Sequence, residues 1–243
     1  MVDSLQVYRG SPYIINDRIK ILQPTLGQIA DFGEQRYFNM VHTITAISSD
    51  MKYQLSQMGL DYEEVKDFDL FSIMIKQFTP EDTCILFGDI DFSKLEDYEN
   101  EQNGLPVLYD PVSELKIDIN IYNKIVDYLR QVHMIAKKEE FAANKLTKKI
   151  LIEESKRKYE ESKNKEYEST LVPLISALTN HPGFKYGHGS VWSMPINAFM
   201  DAVQRLQVIQ NVDNMLRGIY AGTISSKGIN QKDLNWLRSM SEK

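Results

Sequence analysis

The sequence predicts a mainly α-helical α+β protein, in which helical, bundle-like lobes carry small antiparallel β elements. Apolar residues recur at helical spacing through most of the 243 residues. A stretch near the N-terminus alternates apolar and polar residues between turn signals, and three short apolar runs in the centre lie beside turn dipeptides. We therefore expect an N-terminal β-meander and a small central three-stranded sheet among the helices.

The first expected β element occupies residues 5–23. Its apolar residues stand between polar neighbours, and residues 9–12 and 16–17 supply two turns. The apolar positions are Val7, Tyr13, Ile15, Ile19 and Ile21. A short meander of this kind is marginally stable alone, so another element should cover its apolar face.

A long helix is predicted over residues 25–47, beginning at Pro24 and Thr25. Gly33 lies on its apolar face, where a missing side chain permits a neighbouring element to approach closely. That face comprises Leu26, Ile29, Ala30, Tyr37, Met40, Val41, Ile44 and Ile47.

The middle of the chain predicts shorter elements. Helices are expected at residues 51–58, 68–78 and 121–134. Three strands of a small antiparallel sheet are predicted at residues 84–87, 105–109 and 115–119, beside turn dipeptides. The acidic stretch 91–102 is interpreted as a loop or a short helix.

Residues 137–169 differ in composition, with ten Lys or Arg and eight Asp or Glu. Opposite charges alternate at helical spacing, which predicts a helix over residues 144–168. The apolar residues that can dock its first half are Leu146, Ile150 and Leu151. Residues 155–166 are polar on every side apart from Tyr159, so we interpret the segment as a solvated connector or as an arm that meets a partner.

This charged segment is the predicted boundary between two lobes. It separates an N-terminal α+β lobe at residues 1–136 from a C-terminal helical lobe at residues 170–243. The C-terminal lobe should begin with a helix over residues 171–178 and end with a short docking helix at residues 229–240.

The longest predicted helix covers residues 192–219, with Ser193 as a potential N-cap and Gly218 as its stop. Its apolar residues change face when the angle advances by about 100° per residue. The first face carries Ile196, Phe199, Met200 and Val203, and the opposite face carries Ile209, Val212, Leu216 and Ile219. Other parts of the chain, or another chain, should therefore cover the helix on two sides.

Charge and cysteine content argue against several classes of protein. A net charge of −6 and a pI near 5.3 disfavour a general nucleic-acid binder, which needs a broad basic surface. Cys84 is the single cysteine and lies in an apolar run, so we expect a buried structural thiol in a reducing compartment. The N-terminus lacks a signal-peptide pattern, and no apolar run approaches the roughly 20 residues of a membrane helix. A cytoplasmic protein is expected.

Catalytic and metal-binding patterns are weak. His181 and His188 flank a Pro-Gly turn without a nearby Cys ligand, and Asp89 with Asp91 forms an isolated Asp-x-Asp pair. Residues 187–189 lack the remaining glycine and the strand–turn–helix setting of a dinucleotide fingerprint. We therefore expect no enzymatic activity, metal or cofactor.

Four aromatic residues are the candidate partner-binding residues. They stand near element ends or off the main apolar stripes, which is typical of interface anchors: Phe32, Phe38, Trp192 and Trp236. The alternative is that these large side chains fill gaps in the core.

Five segments carry a resemblance to a known group of proteins. They are residues 22–29 (LQPTLGQI), 31–34 (DFGE), 49–55 (SDMKYQL), 196–203 (INAFMDAV) and 233–237 (DLNWL). The chain resembles proteins encoded in the tail-morphogenesis modules of tailed phages and prophages of Gram-positive bacteria, which are commonly assigned as tail assembly chaperones. The matching motifs are packing and capping patterns without a catalytic signature.

The resemblance implies a chaperone in the host cytoplasm that binds the tape-measure protein, and possibly the tube subunit, and keeps the client soluble during tail assembly. Such a protein needs neither nucleic acid nor membrane, and self-association stays open. The alternative is a structural virion protein of the tail, neck or baseplate, since the predicted β elements suit docking by strand pairing.

Overall fold

The computed structural model describes residues 3–100, 103–163, 165–225 and 227–239. The predicted class is confirmed: within these ranges the protein is mainly helical and has one two-stranded and one three-stranded antiparallel sheet. The helices are α1 Ser4–Arg9, α2 Leu26–Phe32, α3 Glu34–Thr45, α4 Lys52–Gln57, α5 Asp67–Ile75, α6 Pro80–Phe87, α7 Ile119–His133, α8 Lys145–Lys163, α9 Leu171–Thr179 and α10 Ile196–Tyr220. The strands are β1 Tyr13–Ile14, β2 Lys20–Ile21, β3 Glu96–Glu99, β4 Pro106–Asp110 and β5 Leu115–Ile117.

The N-terminal segment is only partly extended, which corrects the predicted meander. Its first residues form α1, because Asp3 accepts a hydrogen bond from the Leu5 N–H (2.9 Å) and Gly10 ends the helix at a φ of 82°. The remaining residues form a two-stranded hairpin in which Tyr13 pairs with Ile21. An N-cap and a C-terminal glycine thus decide the local structure over the alternating pattern.

The predicted helix over residues 25–47 is divided at Gly33, whose φ of 100° and ψ of 111° lie outside the helical region. Glycine adopts this conformation without a Cβ penalty, so the chain turns there from α2 into α3. Thr25 and Gln28 form a capping box at the start of α2.

The first predicted strand of the central sheet is wrong. Residues 84–87 are the last turn of α6, which starts where Asp82 and Thr79 form a capping box around Pro80. The sheet still has three strands, because β3 forms within residues 91–102, the acidic stretch predicted as a loop or a short helix. Cys84 is exposed on α6, so the expectation of a buried thiol is also wrong.

The sheet order is β3-β4-β5, and all pairs are antiparallel. Val107 and Leu108 of central strand β4 are both buried, and Leu108 belongs to the main apolar cluster, whereas every side chain of β3 is exposed. As an edge strand, β3 presents one side of its backbone at the outside of the three-stranded sheet.

Helix α8 packs along α4, and of the three predicted docking residues only Leu151 is partly buried and lines the groove between the two helices. Leu146 and Ile150 are exposed (69% and 51%), and Ile152 instead contacts a small core. That small core consists of Leu55, Tyr62 and Leu70 with partly buried neighbours. The Tyr159 ring lies 5.5 Å from the ring of Tyr53, which extends the contact along α8. The docking face cannot be read from the apolar residues of α8 alone, because Lys148 also faces inward, to Asp61 and Glu63.

The main core joins parts of the chain from both sides of the charged segment. Tyr37, Leu171 and Phe199 belong to one buried apolar cluster. The carboxylate of Glu34 also accepts hydrogen bonds from the backbone N–H groups of Thr170 and Leu171 (both 2.8 Å), which ties α3 to the start of α9. The predicted division into lobes at residues 136 and 169 stays a prediction. The apolar core itself is continuous across that division.

Candidate partner-binding surface

Two of the four predicted aromatic residues pack against the main core on α2 and α3. Phe32 is partly buried, and the Arg36 guanidinium lies 4.7 Å from the centre of its ring. Phe38 is partly buried in edge-to-face contact with Tyr37, at 5.3 Å between ring centres. Both arrangements suit the core-filling interpretation that the sequence left open.

Trp192 lies in a 3-10 turn, Val191–Ser193, that packs closely on α2. The Leu26 N–H donates to the carbonyl of Met194 (3.0 Å), which holds the two segments together. A Cβ on Gly27 would lie 3.1 Å from the carbonyl oxygen of Trp192. Glycine at position 27 therefore permits this contact.

Valine at position 27 tests that contact. We expect Gly27→Val to lower the free energy of unfolding by about 1–3 kcal/mol, because the turn carrying Trp192 must move away from α2. Urea unfolding followed by tryptophan emission measures the change. Gly187→Val is the matched control, since nothing lies within 4 Å of a Cβ there. Equal effects at both positions would show that the close approach of the turn to Gly27 does not contribute to stability.

Trp236 is placed differently, on the segment that follows α10 and returns along it. A single guanidinium nitrogen of Arg205 donates to the carbonyl oxygens of Trp236 (2.7 Å) and Arg238 (2.9 Å). The chain is thus fixed at its backbone while the indole of Trp236 stays half exposed. Arg205 lies in the middle of α10, so the last half of this helix and the returning segment form one structural unit.

The two predicted faces of α10 are buried to different extents. Phe199 enters the main core, and Val212, seven residues after Arg205 and so on the same side, is buried outside both core clusters. Ile224 contacts the helix at Gly218. The predicted helix end at residue 219 is one residue short: α10 passes Gly218 and continues to Tyr220, and the chain reverses at Gly222, where φ is 70°.

Among the described residues of this unit, five large apolar side chains remain exposed, and we name them the tail surface: Ile209, Tyr220, Ile224, Trp236 and Leu237. Of the four predicted residues, the tail surface contains only Trp236. Sequence reasoning missed the other members because exposure depends on where the returning segment lies. In the described residues, no two of the four predicted aromatic rings stack on each other.

The distribution of charged residues along the sequence also distinguishes the part of the chain that carries the tail surface. Residues 1–136 contain 22 Asp or Glu and 11 Lys or Arg, whereas residues 170–243 contain four and seven. The acidic net charge therefore belongs to the N-terminal part, and the tail surface lies in a weakly basic part of the chain.

The weak metal patterns have structural roles. Both ring nitrogens of His181 have partners, the Gly183 N–H at 2.9 Å and the Gln210 side chain at 2.7 Å. Asp91 accepts hydrogen bonds from Ser93 at the start of a 3-10 turn. Among the described residues, His, Cys, Asp and Glu form no group of three or more that could hold a metal ion. The described helices include none that is long and apolar enough to cross a membrane.

Tyr37 and His133 form a buried polar pair between α3 and α7. The Tyr37 hydroxyl lies 2.6 Å from Nε2 of His133, and Nδ1 lies 2.7 Å from the carbonyl oxygen of Leu129. Because that carbonyl can only accept, Nδ1 carries the proton and Nε2 accepts from Tyr37. Burial lowers the pKa of His133 to about 4 and raises the pKa of Tyr37, so both groups stay neutral.

Comparison with known proteins connects the C-terminal part of the chain to phages. Residues 162–241 match the family described as YomV second domain, a phage- and prophage-associated family in which YomV is a Bacillus prophage protein. The matched residues include α9, α10 and the tail surface. Comparisons with curated proteins and with solved structures found no match.

Proposed function

We propose that this protein is a non-enzymatic assembly chaperone of phage tails, which binds a tape-measure-type client through the tail surface and keeps that client soluble. The observation that carries the proposal is the exposed apolar tail surface in the segment similar to a phage-associated family. Exposed apolar side chains of this kind serve as contact surfaces for other chains.

The chemistry of the surface suits a helical client. A tape measure is an extended, largely helical protein, and the apolar stripes of such helices aggregate unless they are covered. A helix that lies beside the last half of α10 can bury its apolar stripe against the tail surface, with Trp236 as the central anchor. The backbone of Trp236 is already held by Arg205, so binding costs little ordering entropy there.

Trp236 also reports on binding. In a Trp192→Phe background, Trp236 is the remaining tryptophan. Titration with a helical fragment of the tape measure from the same genome should move its emission to shorter wavelength, because the half-exposed indole loses water. Trp236→Ala should weaken the binding at least about tenfold while leaving the urea midpoint nearly unchanged. Phe141→Ala, at another exposed aromatic residue, is the matched control. Equal affinity of wild type and Trp236→Ala would contradict the proposal.

A structural virion protein is the second candidate, favoured by strand β3. Within the described residues β3 pairs with β4 alone, so its other edge is available for pairing with a second chain. Quantitative mass spectrometry of purified particles separates the two functions. Abundance in the lysate with absence from particles supports a cytoplasmic chaperone, whereas a fixed, symmetric copy number in particles supports a virion component.

A further inference from the structure

A cleft lies beside the C-terminal end of α3 and does not include any residue of the tail surface. Its volume is about 370 Å³, and it is bounded by the end of α3, the 3-10 turn Ser48–Asp50 and the segment after α7. Lys138 and Asp50 also line a groove of about 480 Å³ between α4 and α8. The cleft and the groove therefore share part of their walls, and we call them together the depression.

The cleft contains cationic donors that the fold leaves available. The Arg130 guanidinium donates to the carbonyl of Thr45 (2.8 Å) and has further N–H donors. In the part of the chain that the structure describes, neither Arg130 nor Lys138 forms a salt bridge. Lys137 also lines the cleft, but its charge is balanced by Asp67 at 2.8 Å and Glu139 at 2.5 Å.

Two of the three acidic groups of the depression already have partners. Asp50 accepts a hydrogen bond from the Ile47 N–H (3.0 Å), and Glu140 lies 2.6 Å from Lys52. Glu154 is an exposed residue of α8 in the neighbouring groove. A ligand at Arg130 and Lys138 thus meets two cations that form no salt bridge with a described residue, beside the capping carboxylate of Asp50 and the Lys52-bound carboxylate of Glu140, although the chain as a whole is acidic.

Apolar residues form much of the rest of the cleft wall, beside His42, Thr43 and Thr45. The apolar residues are Ala46, Ile47, Met51, Met74, Ile135 and Ala136. Methionine side chains adapt to differently shaped apolar groups, which suits a site that accepts side chains rather than one rigid molecule. The cleft therefore combines an apolar wall with a few fixed polar donors, the usual composition of a ligand site.

We propose that this cationic cleft binds an acidic segment of a partner polypeptide, with an apolar side chain against the methionines and a neighbouring carboxylate at Arg130 and Lys138. Inorganic phosphate would use the cations but none of the apolar wall. A nucleic acid would bring many phosphates toward a chain of net charge −6 with two available cations in the cleft. A short segment with one or two carboxylates satisfies the cations and buries apolar surface.

The probe is a short fluorescein-labelled peptide of leucine and glutamate, with a leucine–lysine peptide as its charge-reversed twin. Fluorescence anisotropy with the full chain should show binding of the glutamate peptide alone, weakening as salt is added. Lys138→Glu and Arg130→Gln should each weaken binding at least about tenfold, since each removes a charge-assisted contact. Lys124→Glu, an exposed residue of α7 outside the cleft, is the matched control and should bind as wild type does.

Each result decides the proposal. Lys138 makes no salt bridge to a described residue, so Lys138→Glu stays informative even if Arg130→Gln loses the bond to Thr45 and unfolds. Binding of both peptides, equal loss in Lys124→Glu, or full competition by inorganic phosphate or a single-stranded oligonucleotide would overturn it. Trp236→Ala should leave the peptide affinity unchanged, which separates this site from the tail surface.

Discussion

Replacing Phe199 by alanine is expected to lower the free energy of unfolding by about 3–5 kcal/mol, because its fully buried ring leaves a cavity in the main core. That core joins α10 to helices on both sides of the charged segment, including α7 and α9. Loss of the ring should therefore loosen α7 and α9 together. Urea unfolding measures the change in the free energy of unfolding. Hydrogen exchange of peptides from α7 and α9 shows whether both helices lose protection.

Val212→Ala provides the comparison within the same helix. Val212 is buried in the last half of α10 but belongs to neither core cluster. Its truncation should raise exchange in the last half of α10 and in the tail while leaving α7 protected. If Phe199→Ala raised exchange after residue 170 but not in α7, the two lobes would unfold separately, as the predicted boundary implies.

Lowering the pH from about 7 to about 5 is expected to cost about 2 kcal/mol of stability through His133. The unfolded histidine has a pKa of 6.5 and the folded one about 4, so the unfolded state takes up the proton first as the pH falls. The contribution of neutral His133 is complete above pH 6.5 and is lost as the pH falls to 4. The whole difference corresponds to about 3 kcal/mol.

His133→Gln isolates this contribution. Glutamine does not titrate in this range, and it can retain an acceptor for Tyr37, whose buried hydroxyl would otherwise lose its partner. The variant is expected to be less stable at pH 7 but to lose less stability than wild type on acidification. Urea midpoints for both proteins at both pH values measure the effect. Parallel losses would show that other groups cause the acid sensitivity.

Local signals explain why the fold class could be predicted. The helical stripes of α3, α7 and α10 and the turns beside β4 and β5 are strong, and the structure contains these elements. The errors lie where short patterns compete. Residues 84–87 read as an apolar strand, yet a capping box at Thr79 and Asp82 begins a helix that includes them. Cys84 is exposed because the helical period, unlike a two-residue alternation, turns it to solvent.

The candidate site was less accessible to sequence reasoning. Phe32, Phe38 and Trp192 have the same residue types and positions as interface anchors, but packing against the core decides their environment. Trp236 is exposed because Arg205 holds its backbone carbonyl rather than its ring. The Arg130 donors reach the cleft only through the meeting of α3 and α7, far apart along the chain.

The sequence by itself determined the helical character, the caps and turns, the acidic N-terminal part and the face-switching pattern of α10. These properties depend on neighbours within a few residues, where backbone geometry and side-chain period act directly. Only the tertiary structure decided which apolar side chains remain exposed and which cations remain unpaired. Burial and pairing depend on the long-range return of the tail and on the packing of α8 against α4, and no local pattern encodes those distances.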